Sequence, residues 1–503
     1  MSDYDVVVIG AGLGGLTAGS ILSKRGKKVL VLEQSDRVGG CCSTYEVDGY
    51  KFDIGASVVE ITDMIDRAFQ ELGTSFFDEV DLIQCDPIYG VILPDGERLV
   101  YPTSVEETAE VIGKISPEDK EGFLRYSAKF EEFLSGGGLD FFLSPMNNLT
   151  DMLKTFIKIP TLLKFAPFFV MTYYDVIRKY FKDERIRQSL AYQSFYCGHS
   201  PEQAVGVFGI IPYTEHKGIY YPRGGMIEIP KALQRCGEKF GMELHLNSEV
   251  KEVIIGADRK ANGVILADGT KITSDIVISN INARKLYLDM VGEENLTRMA
   301  RKGIKSYNLS KSTPYICLGV DYEPPLDANH TLYTKPMDFM NEFWWEKYRH
   351  GIAPTPEEQF GLICWPTKAD PSLAPEGHHI IALDFQGPYN LKGNDWDTFK
   401  EEFSEKLIDY LSVEVMPGLK DHVKTMVMST PKDFERKLLN PGGAFYCFQQ
   451  DISAQTVFRP ASKSKSIKNL YLTGASTHPG GGVPTVMASG IVASNLIRKY
   501  ENK

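Results

Sequence analysis

Three glycines and one carboxylate carry the first chemical signal in this chain. The stretch YDVVVIGAGLGGLTAGSILSKRGKKVLVLEQSDRVGG sets Gly10, Gly12 and Gly15 in a GxGxxG spacing, and Glu33 follows Gly15 by 18 residues. Gly10 permits a tight turn out of the apolar run from Tyr4 to Ile9. Gly12 lets backbone approach a pyrophosphate, and Gly15 lets the next helix pack on the sheet. A helix from Gly14 to Arg25 turns its free N–H groups and positive dipole end towards that phosphate, and Gly26 is placed to stop it. Glu33 ends a second strand over Lys28 to Leu32, where a carboxylate accepts both hydroxyls of an adenosine ribose and disfavours a 2′-phosphate. These residues predict a dinucleotide site, with Leu13, Gly14 and Gln34 beside them as further contacts. Between FAD and NAD the following Arg37, Gly39 and Gly40 favour FAD, because a second glycine pair lets backbone pass close to an extended ligand beyond the ribose.

The far end of the sequence carries a second glycine signal. NLYLTGASTHPGGGVPTVMASGIVASNLIRKY reads as a short strand, a turn at Gly474, a glycine-rich loop from His478 to Gly482 and a helix starting near Pro484. Successive glycines cost chain entropy and mark close approach to something, and proline suits a first helical turn. The helix start is placed to face a flavin ring and stabilise the charge of its reduced form, which makes Gly474, Gly482 and Val483 expected cofactor contacts. In the middle, IYYPRGGM leads a strand over Ile219 to Pro222 into Arg223, Gly224 and Gly225, expected to line a substrate.

No acid/base pair emerges from these patterns. His199, His216 and His478 fall near predicted ligand loops, but a lone histidine is more often structural. His478 is the one catalytic candidate. The eight cysteines show no CxxC and no ligand-like spacing to histidine, so no metal site is expected and the thiols read as free in a reducing compartment. Cys41 and Cys42 are adjacent, which would strain a disulfide, and small residues after a glycine pair suit close ligand approach.

The elements that must position these groups exceed one core: 503 residues imply two or more domains. Residues 41–60 read as short strands turning at Asp48 and Gly49 and returning to the first sheet. A hairpin turning at Asp95 and Gly96 opens a second domain, and residues 105–200 read mainly as helices. Later strands, turning at 261–263 and 268–269 and carrying Val250 as another expected cofactor contact, return to the nucleotide domain. Residues 291–440, rich in Tyr, Trp and Pro, complete the second. The boundaries read as 1–75, 219–290 and 441–503 for FAD binding, and 76–218 and 291–440 for the substrate.

Within the helical part, 151–187 interleaves Leu, Ile and Phe with Lys154, Lys158, Lys164, Arg178 and Lys179. Such a segment docks on an anionic bilayer surface or simply covers a core. The net charge of −11 and pI near 5.5 argue against a generic nucleic-acid surface. Neither an apolar leader nor an uncharged run of spanning length is evident, so the expected location is cytoplasmic, peripheral to a membrane at most.

GAGLGG with Glu33 and RVGG, YYPRGGM, ADGTKITSDIVISN and YLTGASTHPGGGVP together resemble the phytoene desaturase family of FAD-dependent oxidoreductases. The resemblance implies an α/β, Rossmann-type, glutathione-reductase-like FAD domain built from separated segments. It also implies an α+β substrate domain with a helical, membrane-facing part and an apolar tunnel. The implied substrate is a long hydrophobic polyene or isoprenoid, desaturated or saturated by hydride exchange with flavin and proton exchange with solvent or a side chain; the electron partner is left open. Other readings stay open: a redox-neutral carotenoid isomerase, an amine oxidase-like flavoenzyme, and a non-catalytic prenyl-lipid carrier of the Rab GDP-dissociation-inhibitor kind. The carrier has no use for intact nucleotide glycines.

Overall fold

A continuous apolar run is a stable strand only where both faces are covered. In the computed structural model, which describes residues 2–501, YDVVVI forms β1 (Tyr4–Ile9), and VLVL forms the fully buried β2 (Val29–Leu32) parallel to it, Val6 opposite Val29 and Ile9 opposite Leu32. The same sheet takes in β3 (Glu243–His245), β4 (Val250–Ile255), β5 (Ala261–Leu266), β6 (Lys271–Ser279) and β7 (Leu470–Leu472). Its parallel part runs β3-β2-β1-β6-β7, and β4 and β5 join antiparallel onto the first residues of β6. Three remote stretches of chain therefore build one sheet.

Between β1 and β2 lies α1 (Leu13–Lys24), buried at every position from Leu13 to Ser23. A helix apolar or small all round has to be enclosed. Ser20 caps this packing by donating to the Leu233 carbonyl at 2.9 Å, on the helix Glu228–Glu238.

A second seven-stranded sheet runs Val423–Ser429, Tyr315–Val320, His379–Phe385, Gly361–Cys364, His330–Tyr333, Tyr89–Ile92, Arg98–Tyr101. Its last two strands are the expected hairpin, closed at Gly96. Helices occupy most of 105–215, among them α2 (Leu149–Lys158) and the short α3 (Ile211–Glu215), and α4 (Val483–Glu501) packs on α1. No helix among the described residues is long and apolar enough to cross a membrane. On α2, Leu149, Leu153 and Ile157 recur every fourth residue and are 64%, 62% and 74% exposed, an unpartnered apolar stripe.

Two expectations need correction. The strands Thr44–Val47 and Tyr50–Asp53 do not return to the first sheet; they form a two-stranded sheet of their own. Its Asp53 accepts hydrogen bonds from Thr44 Oγ1, Tyr221 OH and the Met226 amide, so the hairpin is tied to 221–226 instead. The turn expected at 261–263 lies at 256–260, where Gly256 N–H donates to the Lys260 carbonyl and Arg259 takes a left-handed φ of +58°. Gly263 sits inside β5, where a Cβ would lie 2.1 Å from the Ile272 carbonyl oxygen.

Candidate functional site

The chain turns from β1 into α1 over Gly10, at φ +93°, and this turn is packed without spare room. A Cβ on Gly15 would stand 2.2 Å from the Gly10 carbonyl oxygen, and one on Gly14 would stand 2.8 Å from the Gly474 amide. Gly12 bridges to Gly39, whose N–H donates to the Ala11 carbonyl at 2.8 Å. Glu33, 8% exposed at the end of β2, accepts the Ala11 amide at 2.8 Å and the Ser35 amide and hydroxyl at 2.9 Å. Its carboxylate is thereby held against the glycine turn. Gln34 and Arg37 flank it, Gln34 Nε2 donating to the Lys437 carbonyl and Arg37 pairing with Asp36 at 2.7 Å. Val250 opens β4, just beyond the segment whose Asn247 and Ser248 amides donate to the Ser35 and Glu33 carbonyls.

A half-open cavity of about 320 Å³ opens on this turn. Gly12, Leu13, Gly14, Gly39, Gly40, Gly474, Gly482 and Val483 all line it; Gly10, Gly15, Glu33, Gln34, Arg37 and Val250 do not. The two absent glycines, Gly10 and Gly15, serve the turn itself. The loop 480–482 and the first turn of α4 close one side, and Phe142, Phe208, Ile210, Ile211 and Leu362 supply an apolar wall. Cys41 and Cys42 line it too, with burial pushing the Cys41 thiol up to about 11, so both stay protonated. Seven of the cysteines are free; the side chain of Cys197 lies outside the described residues.

His478 is not on this wall. Its ring is 3% exposed, edge-on to Phe141, and burial pulls it down to about 4, so it is a neutral core residue. His199 accepts the Gln450 amide at 2.9 Å, and His216 is buried among Tyr89, Tyr101 and Phe123, both likewise pulled down to about 4. Arg223, Gly224 and Gly225 also stand away from the cavity lining. Arg223 pairs with Asp81 at 2.8 Å, the Gly224 amide donates to Asp370 at 2.7 Å, and a Cβ on Gly225 would meet Thr44 Oγ1 at 2.7 Å. Gly225 thus lets the loop pass the Thr44–Asp53 hairpin.

Several lining residues escaped the sequence reading. Asn280, which follows β6, packs its side chain against Gly10, Gly12, Gly14 and Gly474 and accepts from Thr473 Oγ1 at 3.2 Å. Its signal was its place at the end of the DIVISN strand. Asp384 lines the cavity beside the buried Lys311, 3.9 Å away, and accepts Thr313 Oγ1 at 2.8 Å. Glu60 lines it as well. Neither carboxylate belongs to any motif.

These residues fit an FAD molecule. The glycine cradle, which side chains would fill, has the makings of a pyrophosphate site, Glu33 is fixed beside that turn, and the cavity continues from the cradle to an apolar wall. No cluster of His, Cys, Asp and Glu among the described residues has the makings of a metal site.

Comparison with known proteins gives the same picture. The family of flavin-containing amine oxidoreductases matches residues 13–498. A phytoene desaturase of Fusarium fujikuroi is 31% identical over 534 residues, covering 99% of this chain and 90% of its own. A neurosporene-forming phytoene desaturase of Rhodobacter capsulatus is 29% identical, covering 98% and 93%. Among solved structures, a putrescine oxidase variant superposes with a TM-score of 0.64 at 15% identity, covering 99% of both chains, which speaks for the fold alone.

Proposed function

We propose, for a chain that belongs to the flavin-containing amine oxidoreductase family and within it to the phytoene desaturases, that this FAD-dependent oxidoreductase removes hydrogen from carbon–carbon bonds of a long polyene. One observation carries the reading: a single cavity joins the nucleotide glycines to a wall of Phe142, Phe208, Ile210 and Ile211. Bound FAD supplies the two-electron acceptor. Glu33 holds the ribose, and Gly12, Gly14 and the α1 N-terminus hold the pyrophosphate. The apolar wall keeps a polyene flat and water out, which converts binding into orientation. Residues 1–75, 219–290 and 441–503 form the FAD-binding part in this reading, and 76–218 and 291–440 the substrate part.

The substrate is insoluble in water, so it has to arrive from lipid. The stripe Leu149, Leu153 and Ile157, with exposed Leu163 and Val170 after it and Lys154 and Lys158 beside it, is suited to the acyl boundary of a bilayer with lysines at anionic headgroups. This supports peripheral docking by the face around α2.

The test is anaerobic mixing of the purified yellow protein with acyclic polyenes in liposomes. Bleaching of the flavin with appearance of a longer chromophore is expected. No bleaching by any polyene, with flavin at full occupancy, overturns the reading.

A further inference from the structure

Removing hydrogen from a carbon–carbon bond releases a proton as well as a hydride, and the cavity wall offers two carboxylates to take it. Asp384 is tied down, accepting Thr313 Oγ1 at 2.8 Å with Lys311 Nζ 3.9 Å away. Glu60 is different. Its Oε2 accepts one hydrogen bond, from Thr214 Oγ1 at 3.0 Å, and it has no lysine or arginine partner among the described residues. The next residue, Ile61, also lines the cavity and holds φ +49° and ψ +47°, a conformation that is costly for a β-branched residue and persists only where its surroundings impose it.

Behind Glu60 lies a second carboxylate, Glu215, at the end of α3 and 2% exposed, accepting Gln193 Nε2 at 3.1 Å and likewise without a cation. Gln193 is itself fully buried, and its Oε1 has no donor, leaving an acceptor open beside the pair. α3 spans two spaces: Ile211 lines the cavity, whereas Tyr213, with His216 and Lys217 just after the helix, lines an outer cleft.

We propose that Glu60 is the catalytic base of this cavity and that Glu215 relays its proton towards the outer cleft. This rests on the polyene dehydrogenase reading above. On one carbon the C–H bond breaks with both electrons leaving as hydride to the oxidised flavin. On its neighbour the C–H electron pair becomes the new π bond and the proton passes to the Glu60 carboxylate. The substrate is thus oxidised by two electrons, the flavin reduced by two, and one proton is left on the protein.

The electrostatics agree with the geometry. Burial pushes Glu60 up to about 7, and burial together with the charge of Glu60 pushes Glu215 well above its ordinary value. The other titratable groups facing the pair are Tyr89 and Tyr126, held neutral by burial; His216, next in the chain after Glu215, is neutral above about 4. Near neutral pH Glu60 is thus poised between its two forms, with Glu215 biased towards its protonated form, which suits a general base.

Two measurements test this. The first is single-turnover flavin reduction by a liposomal acyclic polyene from pH 5 to 9, with bound flavin quantified. The parent rate should rise through an ionisation near pH 7. Glu60→Gln should fall by roughly a hundredfold or more and lose that limb at unchanged flavin content, whereas Glu60→Asp, which keeps a carboxylate, should be slower but keep it. The second measurement needs no substrate: infrared difference spectra across the same pH range should show a protonated carboxyl signal that titrates near pH 7 in the parent and is missing in Glu60→Gln. Parent-like rate and pH profile in Glu60→Gln, or an infrared titration identical in the two proteins, overturns the assignment. Failure of the underlying reading looks different, since no polyene would then reduce the parent flavin while the infrared comparison would still decide whether Glu60 is the titrating group.

Discussion

Glu33 has one role seen in the fold, accepting the Ala11 and Ser35 amides, and one proposed, holding the ribose. Glu33→Ala should therefore lower flavin occupancy and also cost about 1–3 kcal/mol for the amides left without an acceptor, read as a fall in Tm of the flavin-free protein. Glu33→Gln keeps an acceptor and should lose flavin with a smaller loss of stability. At Gly15 the space is smaller still. Gly15→Ala forces a methyl against the Gly10 carbonyl oxygen, and denaturant unfolding should register about 1–3 kcal/mol of destabilisation. Both residues stood out in the spacing because their contacts are local, tied to one turn. Glu60 did not, since a single carboxylate after ASVV acquires its meaning from Thr214 and Glu215, more than 150 residues away.

At the scale of elements, the loop 480–482 and α2 make the sharpest predictions. A Cβ on Gly481 already lies 3.1 Å from the Tyr446 ring, so Gly481→Leu must push the loop off its place at the cavity. On the proposed placement of ribose and pyrophosphate at Glu33 and the Gly10–Gly15 turn, flavin content should hold while single-turnover flavin reduction drops by roughly a hundredfold. For α2, Leu153→Glu with Ile157→Glu places charge in the middle of the exposed stripe. Flotation on anionic liposomes at low salt should be lost without loss of flavin. Elements with a local signature were legible: β1, α1, β2, the Gly96 hairpin, the strand before Arg223 and the start of α4. The 44–53 hairpin was misplaced because what fixes it, the Asp53 contacts with 221–226, is remote in sequence. Gly263 was misread as a turn because a glycine needed for close strand approach looks the same as one needed for a bend.

Across the whole molecule, buried titratable groups oppose one another. His199, His216, His330 and His478 are each pulled down to about 4, so an unfolded chain, with histidines near 6.5, takes up protons that the fold refuses. That stability is present above pH 6.5 and is lost as pH falls through about 4. Glu60 and Glu215 act with the other sign: their folded values are raised, so their contribution is full below about 4.5 and is lost as pH rises, through about 7 for Glu60. The two sets offset each other between about 4.5 and 6.5, and above 6.5 only the carboxylates are left. Thermal unfolding across pH should show stability declining above 6.5 in the parent, and a flatter profile there in Glu215→Gln.

The first sheet has a consequence for how the protein is made. β1 begins at Tyr4, yet its neighbour β6 begins at Lys271 and β7 at Leu470. On a ribosome adding about 5–20 residues per second, the opening strands and the whole glycine turn are out for a large part of synthesis before the strands that cover them exist. Until then the apolar runs Val6–Ile9 and Val29–Leu32 lack their sheet neighbours on the β6 side, and parallel pairings between distant segments are slow to form. Gly474 and Gly482, which wall the cavity, arrive later still. Cofactor capture thus becomes a closing event of biosynthesis, and a chain released early carries the nucleotide signature without being able to keep the nucleotide.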